Sequence, residues 1–270
     1  MRRTRHEADG LGDAGMLPLT IAVLTYQGER LLPACLTSIV AQRIPVPYEL
    51  LVVDGPSTPP ATVPTYIKHR MVRLPTAAGN INGMNECFRQ AAGDWVLFVA
   101  NDVRLLPRCV EHLWEHRGSL CQPVLLTPQE TIDNYGLRWR WPGYGSRIQT
   151  IRPYGEVLRP IPAFAATCFL LHRSVWQEVG SFDETLGVSH EDIDFSLTLR
   201  KSGYRCFVNT QAQAVHLMGQ TIGRVTPGPL SPRYHVARLR VLRKHYRGVN
   251  YWARRGAVVV LDRVAQAQHG

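Results

Sequence analysis

No apolar run in this chain approaches the roughly 18 residues needed to cross a bilayer. Its longer runs, such as Trp95 to Ala100 and Ala257 to Leu261, fall far short, so no spanning helix is expected. Nor does an apolar stretch follow the basic start. Residues His6 to Gly12 are polar, which argues against a secretory signal. Cysteine is sparse and unpatterned. Cys35, Cys87, Cys109, Cys121, Cys168 and Cys206 lie among apolar neighbours with no CxxC pair and no framework-like spacing. They read as reduced core residues of a cytoplasmic protein, and neither a disulfide scaffold nor a cysteine metal cluster is expected. Internal repeats and low-complexity segments are absent too.

What is present is a large apolar complement. With 270 residues and 45% hydrophobic content, the chain can bury one substantial core and sits near the length at which a single domain stops growing. Residues 1–16 mix Arg2, Arg3, Arg5, Glu7 and Asp13 with few apolar side chains and are expected to form a flexible tail. A main domain is expected over 17–223 and a basic helical extension over 224–270. The formal net charge of +10 concentrates in that extension, where ten basic residues face Asp262 alone. Such a segment suits an anionic partner, with a membrane surface or a lipid diphosphate ahead of a nucleic acid. The inner membrane face is then a natural place for peripheral contact, and self-association is left open.

Leu19 to Thr25 and Tyr48 to Val53 are short, β-branched, mostly apolar runs that suit strands buried on both faces. Between them, Leu32, Cys35, Leu36, Ile39 and Val40 recur at helical spacing, which makes a β-α-β unit. The alternation continues with a strand over Met71 to Leu74, a helix over Asn82 to Ala92, a strand over Trp95 to Ala100 and a helix over Pro107 to Glu115. A mainly parallel α/β sheet with flanking helices follows. Ligands of such sheets bind beyond the carboxyl ends of the strands, which draws attention to Tyr26, Asp54 and Asp102. After Val124 the pattern loosens, and Asp133 to Arg159, rich in Gly, Pro, Trp, Tyr and Arg, is expected to be an irregular functional surface. A strand is predicted over Ala163 to Leu171, helices over Ser174 to Val179 and Glu191 to Lys201, and two basic helices over Pro232 to Tyr246 and Tyr251 to Ala267.

Asp54 opens the turn-forming DGPST and is either a cap of its own loop or a ligand-facing acid. Asp102 ends the apolar VLFVAND run, where a carboxylate is costly unless exposed, capped or on a cation; Asn101 could share a capping role. Glu191, Asp192 and Asp194 crowd a helix start behind His190. Amide groups and the helix dipole explain one or two of these carboxylates but hardly three, so the cluster suggests a base held by a neighbour. His216 follows a short apolar strand and gains interest only in the company of Asp102.

In motif order these segments resemble the family-2 glycosyltransferases of the GT-A fold, in particular the rhamnosyltransferase-like branch. The matching pieces are LTIAVLTYQGERLLPACLTSIVAQ, ELLVVDGPST, GMNECFRQAAGDWVLFVANDV, CFLLHRSVWQEVGSFDE and HEDIDFSLTLRKSGYR, spread over roughly Leu17 to His216. The resemblance implies an inverting, metal-assisted transfer of one sugar from a nucleotide-diphosphate sugar to a glycan or lipid-linked acceptor. It implies that Thr25, Tyr26 and Asp54, with Asn85 and Asn101, line the donor site. Asp102 would be the last acid of an Asp-X-Asp motif holding Mg2+ or Mn2+, assisted by His216, and Ala100 replaces the first acid. Asp192 would be the base and Glu191 its orienting partner. The Gln-X-X-Arg-Trp signature of processive synthases is missing, which favours single addition. Two alternatives are a decayed, binding-only transferase fold and a sugar-phosphate nucleotidylyltransferase.

Overall fold

The computed structural model describes residues 17–75, 79–150, 155–187, 189–217 and 232–267. The expected tail over 1–16, the boundary at 223 and the first residues of the basic extension lie outside these. The amino-terminal half is the predicted alternation. Strand β1 (Leu17–Thr25) and strand β2 (Tyr48–Asp54) flank helix α1 (Leu32–Val40), and β3 (Arg70–Arg73) and β4 (Gly93–Ala100) flank α2 (Gly79–Gln90). These four strands pair in parallel, with Thr25 beside Asp54 and Leu24 beside Ala100. Their carboxyl ends therefore open on one edge.

The second half adds β5 (Val103–Leu105), α3 (Cys109–Glu115), β6 (Leu120–Leu126), β7 (Ile132–Asn134), β8 (Leu137–Arg140), β9 (Tyr144–Arg147), β10 (Leu158–Ile161) and β11 (Cys168–His172). Helices α4 (Arg173–Val179) and α5 (Glu191–Lys201), strand β12 (Cys206–His216) and helices α6 (Pro232–His245) and α7 (Gly248–Ala267) complete the described chain. The main sheet runs β10-β12-β6-β11-β4-β1-β2-β3, with β5 on β12 and β7 on β6, while β8 and β9 form a separate hairpin. It is mixed, because β11 runs antiparallel between β4 and β6.

Both faces are covered, as buried parallel strands require. Along β4, Val96 and Phe98 face one core, while Leu97 and Val99 face the other. The first core holds the stacked rings of Phe98 and Phe169, with Phe88, Phe164, Phe182 and Phe195 around them. The second packs α1 and α3, through Leu36, Ile39 and Leu113, on the opposite face. Where β1 meets β4, Gly93 leaves no space for a side chain: a Cβ would stand 2.5 Å from the Leu19 carbonyl carbon and the Thr20 nitrogen. Gly93→Ala should lower the melting temperature by several degrees, since the strands must separate to admit it.

Three expectations change. The strand predicted over Ala163 to Leu171 begins only at Cys168, and residues 163–167 cross the sheet end as a loop. The stretch Asp133 to Arg159, read as irregular, contains the β8–β9 hairpin and β10. Strand β6 went unseen because Pro123 argues against a central strand. Pro123 lies opposite Asn209, where the β12 register shifts, so its missing N–H falls at an irregularity in the ladder. All six cysteines are buried and unpaired, as read from the sequence.

The C-terminal helices pack against the body through charge. Asp194 on α5 receives Lys244 Nζ at 2.7 Å and His245 Nε2 at 2.7 Å, and Lys244 also reaches Asp183 at 3.2 Å. Asp262 on α7 accepts from Tyr144 Oη of the hairpin at 2.7 Å and from the buried Arg238 of α6, with His235 as a further partner.

Candidate active site

One end of the site grows from the β1 and β2 termini. Thr25 Oγ1 accepts from Asn101 Nδ2 at 2.9 Å, and the Thr25 carbonyl accepts from Gly55 N at 2.8 Å. Gly28 packs on this pair so closely that a Cβ there would meet Asn101 Nδ2 at 1.8 Å. Asp54 is buried and ties down its own loop: Oδ1 accepts from Ser57 Oγ at 2.6 Å, and Oδ2 accepts from Ala61 N at 3.1 Å and Arg73 Nη1 at 3.2 Å. The turn-capping alternative is thus realised in the geometry, with the loop 55–61 as what Asp54 shapes. Tyr26 packs beside Gly55. Asn85 has another use. Its amide donates to the Phe182 carbonyl and Glu184 Oε1 and accepts from Phe182 N, which leaves no free amide hydrogen for a nucleotide. It clamps the segment 182–184.

Asp102 and His216 meet because β5 and β12 pair antiparallel, with His216 opposite Val103 and Leu217 N donating to the Asp102 carbonyl. His216 Nε2 stands 3.5 Å from Asp102 Oδ2, and Nδ1 stands 3.3 Å from Asp133 Oδ2, whose other oxygen receives Arg147 Nη1 at 2.6 Å. Burial alone would lower the His216 pKa, but hydrogen bonds and charge from Asp102 and Asp133 outweigh it and raise the value to about 9. Asp133 is also buried, which would raise its pKa, yet His216 and Arg147 hold it below the usual carboxylate range. Among the described residues no group of three or more His, Cys, Asp or Glu side chains is arranged around a metal. Asp102 Oδ2 and His216 Nε2 could take up a divalent cation only with the imidazole deprotonated, so binding would have to displace the proton that the two carboxylates favour. One carboxylate oxygen and one imidazole nitrogen lie side by side, and a carboxylate on the opposite ring nitrogen fixes the ring.

Glu191 and Asp192 open α5. His190 precedes them with a left-handed φ of 69°, which turns the chain into the helix. Asp192 Oδ1 accepts from Ile193 N at 2.7 Å, and the Ala166 amide also favours its charged form. Burial and then the Glu191 charge nevertheless push the Asp192 pKa up to about 8. Glu191 is raised by burial, and its Oε2 is a buried acceptor without a hydrogen-bond partner. One carboxyl of the pair therefore carries a proton at neutral pH. The pair sits at the same sheet end as Asp102. The Ala166 amide faces Asp192, and the next residue, Thr167, accepts from Ala100 N at 2.9 Å, two residues before Asp102.

Around the pair stands a wall that sequence reasoning did not resolve into residues. Trp139 and Tyr234 lie edge-on to His190, with ring centroids 5.9 Å away in each case. Tyr234 is near enough that Glu191 and Asp192, after burial, raise its pKa. Burial, with Arg238 nearby, lowers His190 to about 4, so the imidazole is neutral. Asp194, the third acid of the cluster, faces α6 instead. Asp133 was missed because no apolar run precedes it, and Tyr234 because nothing marks it within a basic helix.

Solved structures show the fold. GalNAc-T7 with UDP, GalNAc and Mn2+ superposes with a TM-score of 0.65 at 15% identity, covering 86% of this chain and 48% of that one. S. aureus TarS 1-349 in complex with UDP-GlcNAc gives 0.57 at 16% identity, covering 84% of this chain and 66% of that one. The fold is therefore GT-A. Residues 20–180 match the model of glycosyl transferase family 2, and the chain belongs to that family and is a glycosyltransferase. It is 25% identical over 288 residues to the N-acetylglucosaminyl-diphospho-decaprenol L-rhamnosyltransferase of Mycobacterium tuberculosis, covering 90% of this chain and 91% of that protein. It is also 26% identical over 207 residues to the O-antigen biosynthesis protein RfbC of Myxococcus xanthus, covering 69% of this chain but only 16% of RfbC. Family membership decides against the nucleotidylyltransferase alternative.

Proposed function

We propose that the chain moves one sugar from a nucleoside-diphosphate sugar to a hydroxyl of a lipid-linked or free glycan, with inversion at the anomeric carbon and Asp192 as base. The observation that carries this reading is the Glu191–Asp192 pair, half-buried and linked through Ala166 and Thr167 to the end of β4 that presents Asp102. As the acceptor oxygen attacks the anomeric carbon, Asp192 takes its proton and the bond to the diphosphate breaks on the opposite face. No covalent enzyme intermediate is needed. Glu191, whose buried Oε2 has no hydrogen-bond partner in the protein, would turn that oxygen toward a second hydroxyl of the acceptor as the acceptor binds, and so orient it. Trp139, His190 and Tyr234 supply ring surfaces against which a sugar can stack.

Asp102 Oδ2 and His216 Nε2 would hold Mg2+ or Mn2+, whose chemistry is to neutralise charge on the departing diphosphate. Asp133 keeps the imidazole turned toward Asp102, and Thr25, Tyr26, Asn101 and the Asp54 loop frame the nucleoside. The near full-length likeness to an L-rhamnosyltransferase supports a rhamnosyl nucleotide as the first donor to try and a polyprenyl-diphospho-sugar as the first acceptor.

The test is the melting temperature of the full chain with a panel of nucleotide sugars, with and without Mn2+. One donor should raise it by a few degrees only when metal is present, because a ligand at about 100 times its Kd adds roughly 2.7 kcal/mol. In Asp102→Ala and His216→Ala the metal-dependent part of the shift should vanish. A panel with no stabilising nucleotide sugar would sink the reading.

A further inference from the structure

We infer that the outward face of α7 seats on the surface of an anionic phospholipid bilayer. This deepens the proposed function and rests on it for its purpose, since a lipid-linked acceptor would be presented at such a surface. The evidence for the face itself is independent of that reading.

Helix α7 has one side against the body, where Val258 and Asp262 are buried, and one side open. On the open side Val249, Trp252, Gly256, Val260 and Val264 follow one another at spacings of three and four, which is a single stripe on a helix, with Ala253 beside it. Val249 is 87% exposed, Trp252 63% and Val260 60%, values unusual for apolar residues in one continuous line. A Cβ placed on Gly256, midway along the stripe, would meet nothing within 4 Å. Trp141, also exposed, sits at the tip of the β8–β9 hairpin, whose Pro142 carbonyl receives Arg254 of α7 at 3.2 Å.

The two terminal helices are rich in cations, and Arg255 stands over the Trp252 ring of the stripe at 5.5 Å from its centroid. Arg255 and Arg263 are exposed on α7, with Arg240, Arg243 and Arg247 exposed on or just beyond α6. Across residues 232–267 the sole acid is Asp262, which is buried and engaged by Arg238. An exposed apolar stripe on a cation-rich pair of helices matches an interfacial helix, whose rings and aliphatic groups enter the headgroup boundary while guanidinium groups meet lipid phosphates. Among the described residues no helix is long and apolar enough to cross a membrane, so α7 would lie along the surface. A second copy of this chain fits the face less well, because it would bring arginine against arginine with no acid to pair them. A nucleic acid would want cations at the centre of the face, where this one is apolar.

Flotation of the full chain with vesicles of phosphatidylcholine containing about one third phosphatidylglycerol tests this, at about 0.1 M salt where surface charge is only partly screened. The chain should float with these vesicles and not with pure phosphatidylcholine. The double variant Trp252→Glu, Val260→Glu should bind at least about tenfold more weakly, because both new carboxylates face outward and oppose insertion and charge attraction together. Its melting temperature, and its transfer to a water-soluble acceptor, should match the wild type. Three results would each overturn the inference: no flotation of the wild type, binding indifferent to phosphatidylglycerol, or a double variant that binds as well as the wild type. So would a wild-type dimer in light scattering that the double variant dissolves, which would make the face a self-association surface. If neither protein transfers sugar to the soluble acceptor, it is the proposed function that fails, and the flotation result stands by itself.

Discussion

Replacing Asp192 by Asn should cut transfer, as kcat/KM, by about 100-fold to 10,000-fold and leave metal-dependent nucleotide binding intact. The same change should make the protein more stable in alkali. Asp192 holds its proton up to about pH 8 in the folded state, whereas an aspartate in the unfolded chain loses it near 3.8. Between those values the folded form binds the extra proton, so stability contributed by the neutral carboxyl is complete below about 3.8 and drains away as pH rises through about 8. Asparagine is neutral throughout. Its melting temperature should equal that of the wild type at pH 4 and exceed it by several degrees above pH 8. Wild-type kcat/KM should climb over the same alkaline limb, since the base works only when ionised. An active Asn variant would remove Asp192 from the mechanism, and a melting temperature unchanged at pH 8.5 would mean that the carboxylate is not held under strain.

The second large effect concerns the C-terminal helices. Asp262→Leu leaves the Arg238 guanidinium, only 5% exposed as a side chain, without the carboxylate that accepts from its Nη1 at 2.6 and 2.7 Å. An uncompensated buried charge costs about 3–5 kcal/mol, or on the order of 10 °C in melting temperature. Arg238→Met in the same molecule should recover most of that loss, because removing both partners of a buried pair can be close to neutral. Burial would raise the Asp262 pKa, yet His235, Tyr144 and Arg238 lower it below 3.8. Its contribution is thus present above that value and lost as pH falls through the lowered one, so wild type and Asp262→Leu should converge in strong acid. Unchanged melting of the single variant at neutral pH would mean that α6 and α7 do not pack as described.

The parts of this molecule legible in the sequence are those whose determinants are local. Strands β1, β2 and β4 announce themselves as apolar runs, and α1 and α5 by helical spacing and terminal residues. Asp102, Asp192 and His216 stand out as candidates because each follows an apolar run or opens a helix, and the pairing of β5 with β12 brings Asp102 and His216 together. What stayed hidden depends on distant pairing. Strand β6 carries a proline that is tolerable only opposite the β12 irregularity. The role of Asp133 rests on His216, 83 residues away, and that of Asp194 on Lys244 and His245, about fifty residues on. Asn85 looked like a donor contact until Phe182 and Glu184, nearly a hundred residues along, accounted for its amide.

Asp194 and Asp183 hold Lys244 jointly, and Asp194 holds His245 as well. The helices after residue 232 are consequently not a cassette to be exchanged at will. A chimaera that grafts another protein's terminal helices here would bury the Asp194 carboxylate without its partners unless the graft brings a cation to the place of Lys244 and a hydrogen-bond donor to that of His245. Anyone recombining acceptor specificities between such proteins has to move the lock together with its key.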